Sequence, residues 1–156
     1  IGKSMVTMYI GINSRRLLDE EFRCVQWHTV FGYELLCKLG HRDDWALAAL
    51  YHHMFYDGTG GYPKGYPPCP AHFKGLVDAL TVADSMDAAT DDIGRCYTAA
   101  KSVETLIGEL RAQRGSRYAP AVVALFDDPD FCTELKRKLY EARQSVYLEV
   151  YHETNG

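Results

Sequence analysis

The sequence has no Cys-x-x-Cys pair, no apolar run near the roughly 20 residues that cross a bilayer, and no β-branched stretch alternating at period two. Each absence removes a class of protein. Five cysteines, Cys24, Cys37, Cys69, Cys96 and Cys132, make an odd count within mostly helical patterns, which argues against a disulfide framework and for reduced, structural thiols. The N-terminus shows no basic, apolar and small-residue succession of a cleavable leader, so the chain reads as cytoplasmic and without a membrane segment. A formal net charge of -4 gives no general attraction to polyanions, which excludes nucleic acid as a bulk partner. Internal repeats, low-complexity tracts and charge blocks are also missing, and 156 residues suit one domain with a sizeable core.

What is present is helical periodicity in a chain that is 47% hydrophobic and 24% charged. Leu18, Phe22, Val25, Phe31, Leu35 and Leu39 predict one helix from Leu18 to Leu39, with acidic residues in its first turn, Gly40 as its stop and His28 at its middle. A second helix is expected from Asp43 to Tyr56, which puts His52 and His53 on its last turn. Asp57 to Pro70 is a glycine- and proline-rich loop, followed by an apolar helix over Ala71 to Ala89 that carries Asp84 and Asp87. Lys101 to Arg111 and Pro120 to Phe126 predict two shorter helices. Asp128 is placed to cap a long last helix from Pro129 to about His152. Its stripe of Phe131, Leu135, Leu139, Ala142, Val146 and Val150 reads as core packing, with a homodimer seam as the alternative. The fold class expected is all-α, with about five to six helices and a long C-terminal one.

Histidine and carboxylate together are natural ligands for iron or manganese. Such ions assist phosphodiester hydrolysis by stabilising charge on phosphoryl oxygens and lowering the pKa of a water. His28, His52, His53 and Asp84 come from three successive predicted helices, whose antiparallel packing can gather them around one cavity. Taken singly, a histidine near an apolar face is more often a hydrogen-bonded structural residue, and spacing alone reaches only a candidate metal site. Cys24, four residues before His28, fits a small core thiol better than a ligand. The loop glycines equally suit a tight turn or the display of Tyr62 and Tyr66, whose rings could stack on a base.

The order of motifs resembles the HD-GYP family over nearly the whole chain. Ile1-Gly2-Lys3 is similar to the end of its His-Asp-Ile-Gly-Lys motif, and His28-Thr29-Val30-Phe31-Gly32 to His-Pro-x-x-Gly. His52 to Pro63 resembles His-His-Glu-x-x-Asp-Gly-x-Gly-Tyr-Pro; Val82 to Thr90 resembles Ala-Asp-x-x-Asp-Ala-Leu-Thr, and Arg95-Cys96-Tyr97 the Arg-Pro-Tyr-Arg segment. The resemblance implies an HD-type helical bundle with His28, His52, His53 and Asp84 as metal ligands. Lys3 is then the catalytic contact to the substrate phosphate, Arg95, Lys101 and Tyr62 bind substrate, and Asp57 and Asp87 stand behind the ligands. Three departures stand out: Met54 in place of Glu, an extra glycine at Gly60-Gly61, and Thr98 in place of a second basic residue, whose charge Lys101 is the candidate to supply.

The chain opens after the position of the His-Asp pair. The resemblance therefore implies a single domain, 1–156, truncated at its N-terminus, with two iron or manganese ions in the intact form and activity that depends on the missing segment. The expected function of the intact parent is metal-dependent hydrolysis of cyclic di-GMP or a related cyclic dinucleotide; another phosphate ester is a further candidate ligand. The alternative from another class is a catalytically inactive signalling module that binds a nucleotide, or a protein partner at the Gly-Tyr-Pro loop.

Overall fold

A computed structural model describes residues 2–6, 15–41, 44–91 and 99–155, and every regular element among them is helical. Six α-helices of eight residues or more are α1 (Asp19–Gln26), α2 (His28–Lys38), α3 (Asp44–Tyr51), α4 (Ala71–Thr90), α5 (Val103–Ala112) and α7 (Pro129–Asn155). The four-residue α6 (Pro120–Val123) continues as a 3-10 turn over Ala124–Asp127, and a second 3-10 turn covers Gly2–Met5. The expected all-α class and the long last helix are both found.

The expected helix from Leu18 to Leu39 is divided at Trp27, so His28 opens α2 instead of sitting mid-helix. The reason is local competition for carbonyls. The His28 ring donates from Nδ1 to Val25 O (2.7 Å) and Thr29 Oγ1 donates to Gln26 O (3.1 Å), each taking an acceptor of the preceding turn. Helix α2 then ends where Gly40 was expected to stop it. With φ of 87°, Gly40 lets its own N–H reach Cys37 O and that of His41 reach Leu36 O, the paired bonds of a Schellman turn. The next helix is shorter than expected, ending at Tyr51 instead of Tyr56. His52 Nδ1 donates toward Ala48 O (3.1 Å) and Ala49 O (2.9 Å), while Met54 leaves the helical path to bridge Gly61.

Helix α4, about 30 Å long at 1.5 Å per residue, is the spine shared by two apolar clusters. Its first half gives Phe73 and Val77 to a cluster with Val30, Leu50 and Tyr51. Its second half gives Val82 and Met86 to a cluster with Leu106, Ile107, Leu110, Tyr118, Val123 and Phe126. Asp84 sits on α4 where the two meet.

Helix α7 begins as expected, with Asp128 Oδ1 accepting from Asp130 N (2.9 Å). Phe131, Cys132, Leu135 and Leu139 pack on the second cluster. The rest of the expected stripe is corrected: Val146 is 55% and Val150 51% exposed. A strict four-residue step follows the contact face instead, and it leads from Leu139 to Arg143, whose guanidinium donates to Thr90 O and to Asp87 O (2.9 Å) at the end of α4. Beyond that anchor, the apolar side chains Val146, Leu148, Val150 and Tyr151 are exposed.

The Asp57–Pro70 loop closes on glycines with distinct demands. Gly58 (φ 75°) has open space around it, whereas a Cβ on Gly61 (φ 83°) would stand 2.1 Å from His53 O. We therefore expect Gly58→Ala to cost about 1 kcal/mol from left-handed backbone strain alone. Gly61→Ala should cost roughly 1–3 kcal/mol more, from strain plus overlap. Urea unfolding of both variants checks this, and equal costs would contradict the packing described.

Candidate metal centre

Three imidazoles converge where α2, the end of α3 and α4 meet. His28, His52 and His53 each offer one nitrogen, and these nitrogens lie within 4.8 Å of one another; no other such group of three occurs among the described residues. The closest pair is His28 Nε2 and His52 Nε2, 3.2 Å apart. Both rings spend Nδ1–H on main-chain carbonyls, so each neutral ring presents an unprotonated Nε2 to the other. Two facing lone pairs form no hydrogen bond. A second proton on either ring would join them, but burial opposes that charge and holds the pKa of both below the usual histidine value. His53 is pushed further, down to about 2, by burial first and then by the neighbouring His52 and His28.

The donor set fits a divalent transition metal. Imidazole Nε2 with Nδ1–H fixed on a carbonyl is the usual ligand form. A nitrogen separation of 3.2 Å is what two rings reach across one ion at about 2.1 Å with an angle near 100°. A carboxylate is close: Asp84 Oδ2 lies 3.8 Å from His53 Nε2.

Tyr62 closes the cluster, its ring centroid 4.5 Å from that of His53 and 6.0 Å from that of His28. Burial and the charge of Asp84 push its phenol up to about 12, so the hydroxyl keeps its proton. The loop is held there by Tyr62 N donating to His53 O and Phe55 N to Gly60 O. Gly2 packs so tightly against the start of α2 that a Cβ would stand 1.7 Å from His28 O, which brings the exposed Lys3 near enough for its charge to lower all three histidines.

Other residues singled out by sequence are engaged elsewhere. Asp57 accepts from Thr59 N and Oγ1 (both 2.8 Å), so it folds the loop turn instead of standing behind the histidines. Asp87 is exposed and pairs with Arg143 of α7 (3.2 Å), fixing one helix to another. Lys101 is bound to both oxygens of Glu109 (2.7 Å) and its N–H donates to Ala89 O (2.8 Å), past the C-terminal half of α4. Arg95, Cys96 and Thr98 lie outside the described residues. Met54 is half-buried against the Val30–Val77 cluster, as an apolar side chain and not as a ligand. Cys24 is exposed and does not join the imidazoles.

Arg117 was not singled out by sequence, yet its charge lowers both His53 and Tyr62. It follows the Gly115 turn after α5, and its only signal in the sequence is a cation beside an aromatic residue, too common to act on.

The chain is similar to proteins of known name. It is 34% identical over 133 residues to a cyclic di-GMP phosphodiesterase of Thermotoga maritima, covering 81% of this chain and 33% of that protein. It is 32% identical over 125 residues to the cyclic di-GMP phosphodiesterase response regulator RpfG of Xanthomonas campestris pv. campestris, covering 79% of this chain and 32% of that protein. The chain thus spans about a third of the length of these curated relatives. No family model matches it. The similarity supports the HD-GYP resemblance carried by the motifs.

The depressed histidines set a pH dependence of stability. In the folded chain they stay neutral where the unfolded chain takes up protons near 6.5, so the unfolded state binds more protons as pH falls. Metal-free protein should lose stability as pH drops below about 6.5, by up to about 1.4 kcal/mol per unit for each such group. Urea midpoints at several pH values between neutrality and mild acid check this; a midpoint that holds or rises would contradict it.

Proposed function

We propose that this chain forms part of an HD-GYP-type metal-dependent phosphodiesterase acting on cyclic di-GMP or a related cyclic dinucleotide. The observation that carries this reading is the 3.2 Å approach of two imidazole Nε2 atoms whose Nδ1 protons are fixed on main-chain carbonyls. His28, His52 and His53 would hold the metal, with Asp84 as the adjacent carboxylate. When bound, iron or manganese supplies Lewis acidity toward a phosphodiester oxygen. The protein's own part is to keep these rings neutral through burial, to set their direction through Val25, Ala48 and Ala49, and to cover them with the Tyr62 ring. Lys3 adds positive charge on the same side. The names of the two relatives favour a cyclic dinucleotide as ligand.

Met54, apolar and half-buried against the core, favours a second reading in which the domain binds its ligand without turnover. Titration with manganese and with cyclic di-GMP, followed by chromatography of the products, separates the two. We expect His28→Ala and His52→Ala each to weaken metal binding by more than the roughly 10–100-fold typical of losing an outer hydrogen-bond partner. Linear product from the full-length protein supports the enzyme; tight binding with no product supports the silent module. Unchanged metal affinity in both variants would refute the site.

A further inference from the structure

We propose that Arg117 is the phosphate-recognising cation of this site, held against the Phe55 and Tyr118 rings with its N–H edge available to a pair of phosphoryl oxygens. The inference rests on the metal-site reading of His28, His52, His53 and Asp84 and adds a residue that the motifs do not contain.

Three observations carry it. The first is an unbalanced charge. Arg15, Arg23, Arg111, Arg114, Arg137 and Arg143 all pair with a carboxylate, whereas the half-buried Arg117, like the exposed Arg16, pairs with none among the described residues, and of the two only Arg117 is withdrawn from solvent. Its partners are aromatic: Cζ lies 5.7 Å from the Phe55 ring centroid and 5.1 Å from that of Tyr118. Such contacts partly compensate a half-buried guanidinium and restrict its motion, and they consume none of its N–H donors.

The second observation is attachment to the site loop. Tyr56 N donates to Arg117 O (3.1 Å) and Asp57 N to Ser116 O (3.0 Å), so the turn after α5 is tied by its backbone to the segment that starts at His52-His53. Tyr118 OH donates to Ser85 Oγ (3.2 Å), one residue beyond Asp84. Arg117 is therefore tethered on one side to the histidine loop and on the other to the helix that carries the carboxylate.

The third is position, since the Phe55 ring under the Arg117 guanidinium belongs to the residue two beyond His53. A planar fork beside a cluster of metal-ligating imidazoles is the arrangement that binds a phosphate in two-point fashion, and a lysine in the same place offers only a point charge.

The test uses the full-length protein loaded with manganese, titrated with inorganic phosphate and with cyclic di-GMP, with metal content measured in every sample. Arg117→Gln should keep its manganese and bind both ligands about ten- to a hundredfold more weakly, and Arg117→Lys should fall between it and the parent protein. A glutamine variant within twofold of the parent for phosphate overturns the proposal, as does one that loses phosphate and manganese together. If Arg117→Gln fails to fold, Arg117→Lys decides: weakened phosphate binding with an unchanged unfolding midpoint supports the fork, and unchanged binding overturns it. A parent protein that takes up no manganese refutes the metal site instead, and phosphate titration of the metal-free variants then still reads Arg117.

Discussion

Two imidazole nitrogens that cannot satisfy each other govern this structure. His28 and His52 bring their Nε2 atoms within hydrogen-bond distance while both spend their protons on main-chain carbonyls. The contact is unfavourable unless a cation stands between them, and burial discourages that cation from being a proton. The same side-chain bonds also shape the backbone. The His28 ring bond to Val25 accompanies the break between α1 and α2, and the His52 ring bonds to Ala48 and Ala49 accompany the end of α3. Imidazole orientation and helix termination thus come from one set of hydrogen bonds, and altering either changes both.

Around this pair the fold divides its work along α4. The N-terminal half of that helix packs the elements that bear the histidines, and the C-terminal half packs α5, α6 and the start of α7. Asp84 and Ser85 lie at the junction, so the carboxylate facing His53 and the hydroxyl holding Tyr118 are successive residues of one rigid element. Gly2 against α2 and Gly61 against His53 mark two places where backbone must pass too close for any side chain. Both lie beside the histidines, which is where tight approach places the Tyr62 ring over the cluster.

Much of this was legible in the residues and some was not. Helical periodicity identified α4, α5 and the start of α7 to within a few residues, because their apolar faces repeat and Asp128 with Pro129 marks the start of the last one. It missed the breaks at Trp27 and Tyr51, since an imidazole competing for a carbonyl leaves no mark on periodicity. It also extended the stripe on α7 through Val146 and Val150, where the anchor at Arg143 turns a different face inward. Of the site residues, His28, His52, His53 and Asp84 do come together, and Tyr62 lies on them. Asp57, Asp87 and Lys101 do not, because each finds a nearer partner in Thr59, Arg143 or Glu109. Arg117 reaches the loop through long-range contacts of Phe55, Tyr56 and Asp57 with residues some 60 positions away, which no local pattern encodes.

The central claim is that His28 and His52 are neutral, carry their protons on Nδ1 and present bare Nε2 atoms to one ion. Nitrogen-15 NMR of histidine-labelled, metal-free protein at neutral pH reads this directly. The account predicts the Nδ1–H tautomer for both rings, with the Nε2 resonances shifting when a diamagnetic divalent metal such as zinc is added. An Nε2–H tautomer or an imidazolium at either position would contradict it.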